Sequence, residues 1–489
     1  MTPAPTTTTE RTELLRGTGR TRMDPKLAHM DPYTHPPSVL PIRIIAGEVV
    51  TMDPRNPRAE AIAVQGERIV AVGSLAAVTA EVAAHAAGIA APVESAAGCI
   101  VPGFIDSHFY LQRGGIKVVD LLRDSEPTLD EFQRVMADTA LEPDWPAGEP
   151  TDLERREGLR RIQPLLHALG ITGVADPWAT ADALRVYQQA HAAGELTLRV
   201  TAMPYFEGLR DHLISPDEVI ARVGGLGIGS GFGDSILSFG ALKVYVDGEG
   251  KRQQALREQP WPATGVTGIQ AIDPDELEKI ADFCATRGWA LGVHAIGGAA
   301  MRLALDAFER VDARTPLDGL RFRLIHAYLE PSADTIARAA RMGVLVSSQP
   351  AIQWQNGAWL RETLGASAAS ANPLRSWLDG GVRVALGSDG PYFPFDPLRL
   401  MWFVRTRAVC GEEEPVGAEQ QLTPEEALRA CTTDPAYAAF ADDERGMLRP
   451  GMLADWAELS FDPLTCRDDE LLTGTVFRTV VGGRAVYAG

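Results

Sequence analysis

Apolar positions recur along this chain in two textures. From about Leu40 to Ala97 they come as short alternating runs: Ile42 to Ile45, Ala61 to Val64 and Ile69 to Val72. The DPRNP stretch at 53–57 and the Gln65-Gly66-Glu67 triplet set these runs apart. Period-two alternation broken by turn formers predicts antiparallel strands. The far C-terminus reads the same way, with GMLADWAEL at 451–459 and GTVFRTVVGGRAVY at 474–487. Both ends are expected to combine in one small sheet domain. Between them, apolar runs end near His108, Asp176, Tyr205, Asp247, His294, His326, Gln349 and Asp389, and helical periods fill the intervals. Eight strands separated by helices predict an α/β chain, specifically a (β/α)8 TIM-type barrel. One helix is expected from Asp273 to Arg287, with Asp273 as its N-cap, Pro274 in the first turn and Glu276 closing a capping box. A second begins at Thr423-Pro424-Glu425-Glu426 with the same cap chemistry.

A length of 489 residues exceeds what one core usually supports, which agrees with a large domain plus a smaller one. The expected boundaries are a disordered or extended tail at 1–37, a composite terminal domain at 38–100 plus 445–489, and the barrel at 101–444. The tail is rich in Thr, Arg and Pro and has no apolar core segment, so it does not read as a secretory signal. A net charge of −19 argues against nucleic acid or an anionic membrane as partner. No apolar run approaches the ~20 residues of a membrane span. The five cysteines lie far apart in an odd number, without a CxxC pair, which favours a reducing cytoplasm over a disulfide framework. Cys284 and Cys431 fall on apolar helix faces and are expected in the core.

Nine histidines are present. His29 and His35 sit in the tail, while His85, His167, His191 and His212 lie in helical or loop contexts where solvent-facing or satisfied core imidazoles are ordinary. His108, His294 and His326 each end an apolar run, and Asp389 ends a fourth. Imidazole and carboxylate groups converging from separate strand ends make a zinc-type site. Lys243 lies within FGALKVYVDG at 239–248. Alternation sends Leu242, Val244 and Val246 outward, and Lys243, Tyr245 and Asp247 inward. A buried ammonium is costly unless paired or converted; an ion pair with Asp247 or Asp389 is the ordinary alternative. Phe109, Tyr110, Trp178, Tyr205, Phe206, Tyr245, Tyr392 and Phe393 cluster at or just past strand ends. There they are expected to line a pocket for an aromatic or apolar small molecule.

The ordered set of PGFIDSH at 102–108, GITGVADP at 170–177, LKVYVDG at 242–248, VHAIG at 293–297, IHA at 325–327, SSQP at 347–350 and LGSD at 386–389 resembles the amidohydrolase superfamily. It is similar to the YtcJ-like branch, amidohydrolase family 3, which includes N-substituted formamide deformylases. The resemblance implies a catalytic barrel with a β-sandwich built from both chain ends, and hydrolysis of a non-peptide C–N bond in an amide, formamide or cyclic amide. It also implies one or two divalent ions, zinc above all. In that scheme His108 and Asp389 hold one ion, a carboxylated Lys243 bridges, His294 and His326 hold the second, and Asp389 shuttles the proton. Tyr110, Asp389 and His326 are the catalytic candidates.

The chain departs from the branch at Tyr110, where a second histidine ligand is usual, at Gly298, usually Asp, and at Ile325, where Glu is common. The stretch from about Asp120 to Arg155 also reads as shortened. Tyr110 predicts a weakened first site and a more secure His294–His326 site. It also opens a second reading: a lyase, isomerase, decarboxylase or cyclase using the Tyr110 phenol as acid or base with one metal or none. A third, a binding protein on a decayed scaffold, conflicts with the joint presence of Lys243, His294, His326 and Asp389. The only partner expected is a small-molecule substrate, with a homodimer as the candidate assembly.

Overall fold

The computed structural model describes residues 41–85, 91–121, 128–129, 131–133 and 150–489. The expected tail at 1–37 and most of the stretch expected to be shortened lie outside the described residues. Five strands open the chain: β1 (Ile42–Val50), β2 (Arg58–Gln65), β3 (Arg68–Gly73), β4 (Val93–Ser95) and β5 (Cys99–Pro102). Nine follow: β6 (Phe104–Asp106), β7 (Ile171–Ala179), β8 (Arg199–Pro204), β9 (Leu237–Phe239), β10 (Leu242–Tyr245), β11 (Leu291–Ala295), β12 (Arg323–His326), β13 (Leu345–Ser348) and β14 (Val384–Leu386). The last are β15 (Trp456–Leu459), β16 (Val476–Val481) and β17 (Arg484–Ala488).

Strands from both chain ends share one sheet in the order β17-β16-β15-β5-β1-β2-β3, with β4 paired to β1. The join is made by β15 running antiparallel to β5, with Trp456 opposite Pro102. The middle strands form two parallel sheets, β6-β7-β8-β9 and β10-β11-β12-β13-β14. Backbone links join their edges: Tyr205 bridges Lys243, Ser107 N donates to Leu386 O at 3.0 Å, and Phe109 bridges Gly390. The single run expected to end at Asp247 is broken between β9 and β10 at Gly240. A Cβ there would stand 2.9 Å from Thr201 Cγ2 and 3.1 Å from Met203 Cγ, so a larger residue would press on both side chains.

Leu242, Val244 and Val246 join the main apolar cluster on the outer face, as alternation requires, beside the buried Leu277, Ile280, Ala281 and Cys284 of helix Pro274–Arg287. That helix ends on Gly288 at φ 72°. Its expected capping box is not formed: Asp273 accepts from Asp275 N at 2.9 Å, the shorter reach open to an Asp side chain. The box does form at Thr423, whose hydroxyl accepts from Glu426 N while Glu426 accepts from Thr423 N. Cys284 and Cys431 are both buried, and all five cysteines are free. Among the described residues no helix is long and apolar enough to cross a membrane.

Two buried polar links tie the mixed sheet to the parallel strands. Arg199 on β8 forms a two-pronged ion pair with Asp455, at 2.5 and 2.8 Å. Thr479 Oγ1 on β16 donates to the His167 carbonyl at 2.6 Å. His167 is a satisfied core histidine: Nδ1 lies 2.9 Å from Ile171 O and Nε2 lies 2.9 Å from Thr197 Oγ1. Burial drives its imidazole from 6.5 down to about 4. The folded chain therefore binds fewer protons than the unfolded chain between those values. This group's stabilisation is complete above pH 6.5 and is lost as pH falls through 4, a contribution of about 3 kcal/mol. His167→Gln is expected to flatten the rise of urea stability from pH 4 to 6.5 by about that amount; identical pH slopes in the two proteins contradict it.

Candidate metal centre

The site begins with Asp106, the last residue of β6. Its Oδ1 accepts from His108 N at 2.9 Å and from Ser388 N at 3.0 Å, and its Oδ2 accepts from Ser388 Oγ at 2.5 Å. Asp389 N then donates to His108 O at 2.9 Å. One buried carboxylate thus clamps the segment after β6 to the segment after β14, bringing His108 and Asp389 side by side. Gly387 makes this approach possible, because a Cβ there would lie 2.6 Å from both His108 Cβ and His108 N. Burial pushes the Asp106 carboxyl up to about 7 against the pull of its hydrogen bonds.

His108 Nε2 lies 3.3 Å from Asp389 Oδ1. One ligand atom each from His108, His326 and Asp389 falls within 4.8 Å of the others. The His326 ring is 5.3 Å from the His108 ring and 4.5 Å from the His294 ring. Both His326 and Asp389 hold left-handed backbone conformations, φ 74° and 63°. Such conformations in residues other than glycine store strain and concentrate at functional sites.

Both nitrogens of His108 and of His294, Nδ1 of His326, Nζ of Lys243 and Oδ1 of Asp389 are buried without a hydrogen-bond partner. Burial drives the His326 imidazole down to about 3, and holds those of His108 and His294 well below their ordinary value, helped by nearby cationic side chains including Lys243. Burial also lowers Lys243, against the attraction of Asp389, and raises Asp389. Neutral imidazoles with unused lone pairs beside an unsatisfied carboxylate oxygen are the donor set of a divalent ion, and the residues fit one.

The grouping differs from the expected partition. The tight set takes His108 and Asp389 from one proposed site and His326 from the other. His294 stands beside it, with Nε2 3.6 Å from Asp247 Oδ1. Asp247 accepts backbone N–H bonds from Leu256, Ile296 and Gly297, all at 2.9 to 3.1 Å, and so shapes the turn after β11. It forms no ion pair with Lys243, whose Nζ lies 4.9 Å from the Tyr245 ring centre. The ordinary ion-pair reading of Lys243 is thus not realised with Asp247.

Above this set opens a cavity of about 490 Å³, lined in part by His294, His326, Asp389, Tyr110, Trp178, Tyr245, Tyr392 and Phe393. Tyr110 lies with its ring 5.5 Å from His108. Burial, then the neighbouring Tyr245, Asp389 and Tyr392, holds its phenol well above its ordinary value and therefore protonated. Three pocket expectations need correction. Phe109 is fully buried in the outer apolar core against Phe395, because alternation that turns His108 inward turns its neighbour outward. Tyr205 stands behind Trp178, with ring centres 4.1 Å apart, and supports the pocket wall instead of lining it. Phe206 likewise packs against the core.

Sequence reading missed Asp106 and Arg113. The signal for Asp106 was its place two residues before His108, the spacing of a side chain folding back onto a backbone N–H. Arg113 lay one helical turn past Tyr110 in a run without periodic meaning. Its guanidinium carbon lies 4.3 Å from the Trp178 ring centre, and it donates to the Tyr392 hydroxyl.

Residues 150–487 match the amidohydrolase family, in the branch designated Amidohydro_3. The chain belongs to the amidohydrolase family. Among its relatives in this family is an N-substituted formamide deformylase of Arthrobacter pascens, 28% identical over 69% of this chain and 62% of the relative. Another is the putative amidohydrolase YtcJ of Bacillus subtilis, 29% identical over 62% of this chain and 55% of that protein. The chain therefore spans only about three fifths of the length of these relatives. The fold is similar to an uncharacterized metal-dependent hydrolase from Pyrococcus horikoshii, with TM-score 0.69, 19% identity, and coverage of 88% of this chain and 99% of that one.

Within this amidohydrolase site, Gly387→Ala is expected to push the His108 segment away from Asp389. It should cost about 1–3 kcal/mol of stability and lower the ions retained per chain after dialysis. A variant with unchanged melting and unchanged ion content refutes the close-approach argument.

Proposed function

We propose that this protein is a metal-dependent hydrolase of a non-peptide carbon–nitrogen bond in a small molecule carrying an aromatic or apolar part. The observation that carries the reading is the convergence of His108, His326 and Asp389 with buried, unpartnered donor atoms. The names of the deformylase and of YtcJ support the same reaction class. The two parallel sheets, linked at Tyr205–Lys243 and Ser107–Leu386, are read as one closed (β/α)8 barrel over 101–444. The mixed sheet built from the described residues before 103 and after 444 is read as the β-sandwich of the family.

His108, His326 and Asp389 would hold one divalent ion, zinc by their donor types, and His294 with Lys243 would complete a second position. The ion supplies Lewis acidity toward the scissile carbonyl and a more acidic water. The Asp389 carboxylate would take the proton of the attacking water and return it to the leaving nitrogen. The Tyr110 phenol, held protonated, donates toward the substrate; this state suits an acid or a hydrogen-bond donor and not a base. Trp178, Tyr245 and Tyr392 hold the apolar part of the substrate.

Lys243 is the group with no ordinary role. Burial favours its neutral amine, and a neutral amine adds to CO2 with loss of one proton, giving a carbamate carboxylate in place of a buried ammonium. Native mass measurement of the holoprotein is expected to show the mass of one CO2 per chain, absent in Lys243→Ala. A chain of unmodified mass with full activity removes carboxylation from the scheme.

Asp389→Asn is expected to lower kcat on an N-formyl or N-acyl amine by at least about a hundredfold while the fold persists. Full activity in that variant refutes the assigned proton shuttle. Elemental analysis of the same preparations, beside Tyr110→His, tests the tyrosine. A further ion per chain with faster amide hydrolysis marks a ligand position, whereas loss of activity marks a working phenol.

A further inference from the structure

Two guanidiniums border the cavity without an ion pair to a carboxylate among the described residues; the buried Asp176 attracts Arg113 and the buried Asp247 attracts Arg210 only across the field between them. Arg113 lies over Trp178 at 4.3 Å and, more loosely, over Tyr110 at 5.9 Å, and it donates to the Tyr392 hydroxyl. Arg210, in the loop after β8, lies over Tyr245 at 5.3 Å. The rings beneath them form one wall, because Tyr205 touches both Trp178, at 4.1 Å, and Tyr245, at 5.7 Å. Both arginines border the same cavity as His294, His326 and Asp389.

Neither forms an ion pair among the described residues, in a chain with 65 acidic and 46 basic residues. Several other guanidiniums are met by carboxylates, Arg199 by Asp455, Arg257 by Glu330, Arg338 by Asp306 and Glu309, while the buried Arg323 and Arg407 donate to backbone carbonyls. Among the described residues the cavity lining holds four cationic side chains, Arg113, Arg210, Lys251 and Arg252, against two acidic ones, Glu249 and Asp389. Glu249 is engaged by Arg252 at 3.0 Å, and Asp389 belongs to the metal set. Positive charge is thus left over inside the pocket of an acidic protein.

A guanidinium lying on an aromatic face turns its edge of N–H donors sideways, and that fork matches the two oxygens of a carboxylate. The geometry points to a carboxylate subsite formed by Arg113 and Arg210, so that the substrate is an N-acylated amine bearing a carboxylate near its apolar part. This rests on the amide-hydrolysis reading above and names the substrate class for it. Binding the carboxylate to guanidiniums fixed on Trp178 and Tyr245 would set the distance from the anchor to the scissile carbonyl, which is how remote contacts become rate.

The test uses the holoprotein and two compounds that differ only in the carboxylate, N-formylphenylalanine and N-formyl-2-phenylethylamine. The expected result is a kcat/KM ratio of about tenfold or more in favour of the acid, shrinking toward one in Arg113→Gln and Arg210→Gln and partly kept in Arg210→Lys. A wild-type ratio at or below one, or a ratio unmoved in both glutamine variants, overturns the subsite while leaving amide hydrolysis standing. Calorimetric titration with phenylacetate supplies a readout that needs no turnover. Binding at least about tenfold weaker in Arg210→Gln supports the subsite, and equal binding overturns it. Hydrolysis of neither compound removes the amide reading alone, and the titration then decides the anion subsite by itself.

Discussion

Among the aspartates buried at the strand ends of this protein, Asp106, Asp247 and Asp389 are treated in opposite ways. Asp106 and Asp247 are surrounded by donors: backbone N–H groups and a hydroxyl for the first, three backbone amides for the second. Asp389 keeps an oxygen with no hydrogen bond at all, 3.3 Å from an imidazole nitrogen that also has none. An unsatisfied buried polar atom costs about 1–3 kcal/mol, and more when charged. Here several stand together, so the chain forgoes hydrogen bonds at Asp389 that it makes readily at Asp106 and Asp247. A bound cation resolves that deficit, because it uses the lone pairs that the protein leaves idle.

The arrangement is held by backbone that few sequences tolerate. His326 and Asp389 sit in left-handed conformations, and Gly387 runs against His108 with no room for a Cβ. The satisfied carboxylates supply the compensation: Asp106 binds β6 to β14, and Asp247 fixes the turn that follows β11. Structural and chemical aspartates are therefore two halves of one device. Saturated groups clamp the backbone so that unsaturated groups cannot relax away from each other.

That division explains what could be read from the chain alone. The parallel strands and the outward-facing Leu242, Val244 and Val246 follow from period-two alternation, a local property. So does the inward turn of Lys243 and Tyr245. The same rule, applied one residue past His108, would have sent Phe109 outward; grouping it with the pocket followed strand-end position instead of parity. The pairing of His326 with His108 was not legible, because which ligand atoms fall within 4.8 Å depends on strand stagger and side-chain rotamer. Nor was the choice of Asp275 over Glu276 at the Asp273 cap, where two local bonds compete within one turn.

Charge enters at two scales that act differently. The net charge of −19 is spread over a surface facing salt, where fields fade within about 8 Å at physiological ionic strength. Inside the cavity, Arg113 and Arg210 lie on aromatic faces that exclude water from one side of each guanidinium, and screening there is far weaker. A ligand's anionic group therefore responds at the surface to the acidic exterior and, once inside, to the pair of arginines. The acidic exterior would set how often such a ligand arrives; under the proposed subsite the arginines would hold it against Trp178 and Tyr245, with its carbonyl toward Asp389.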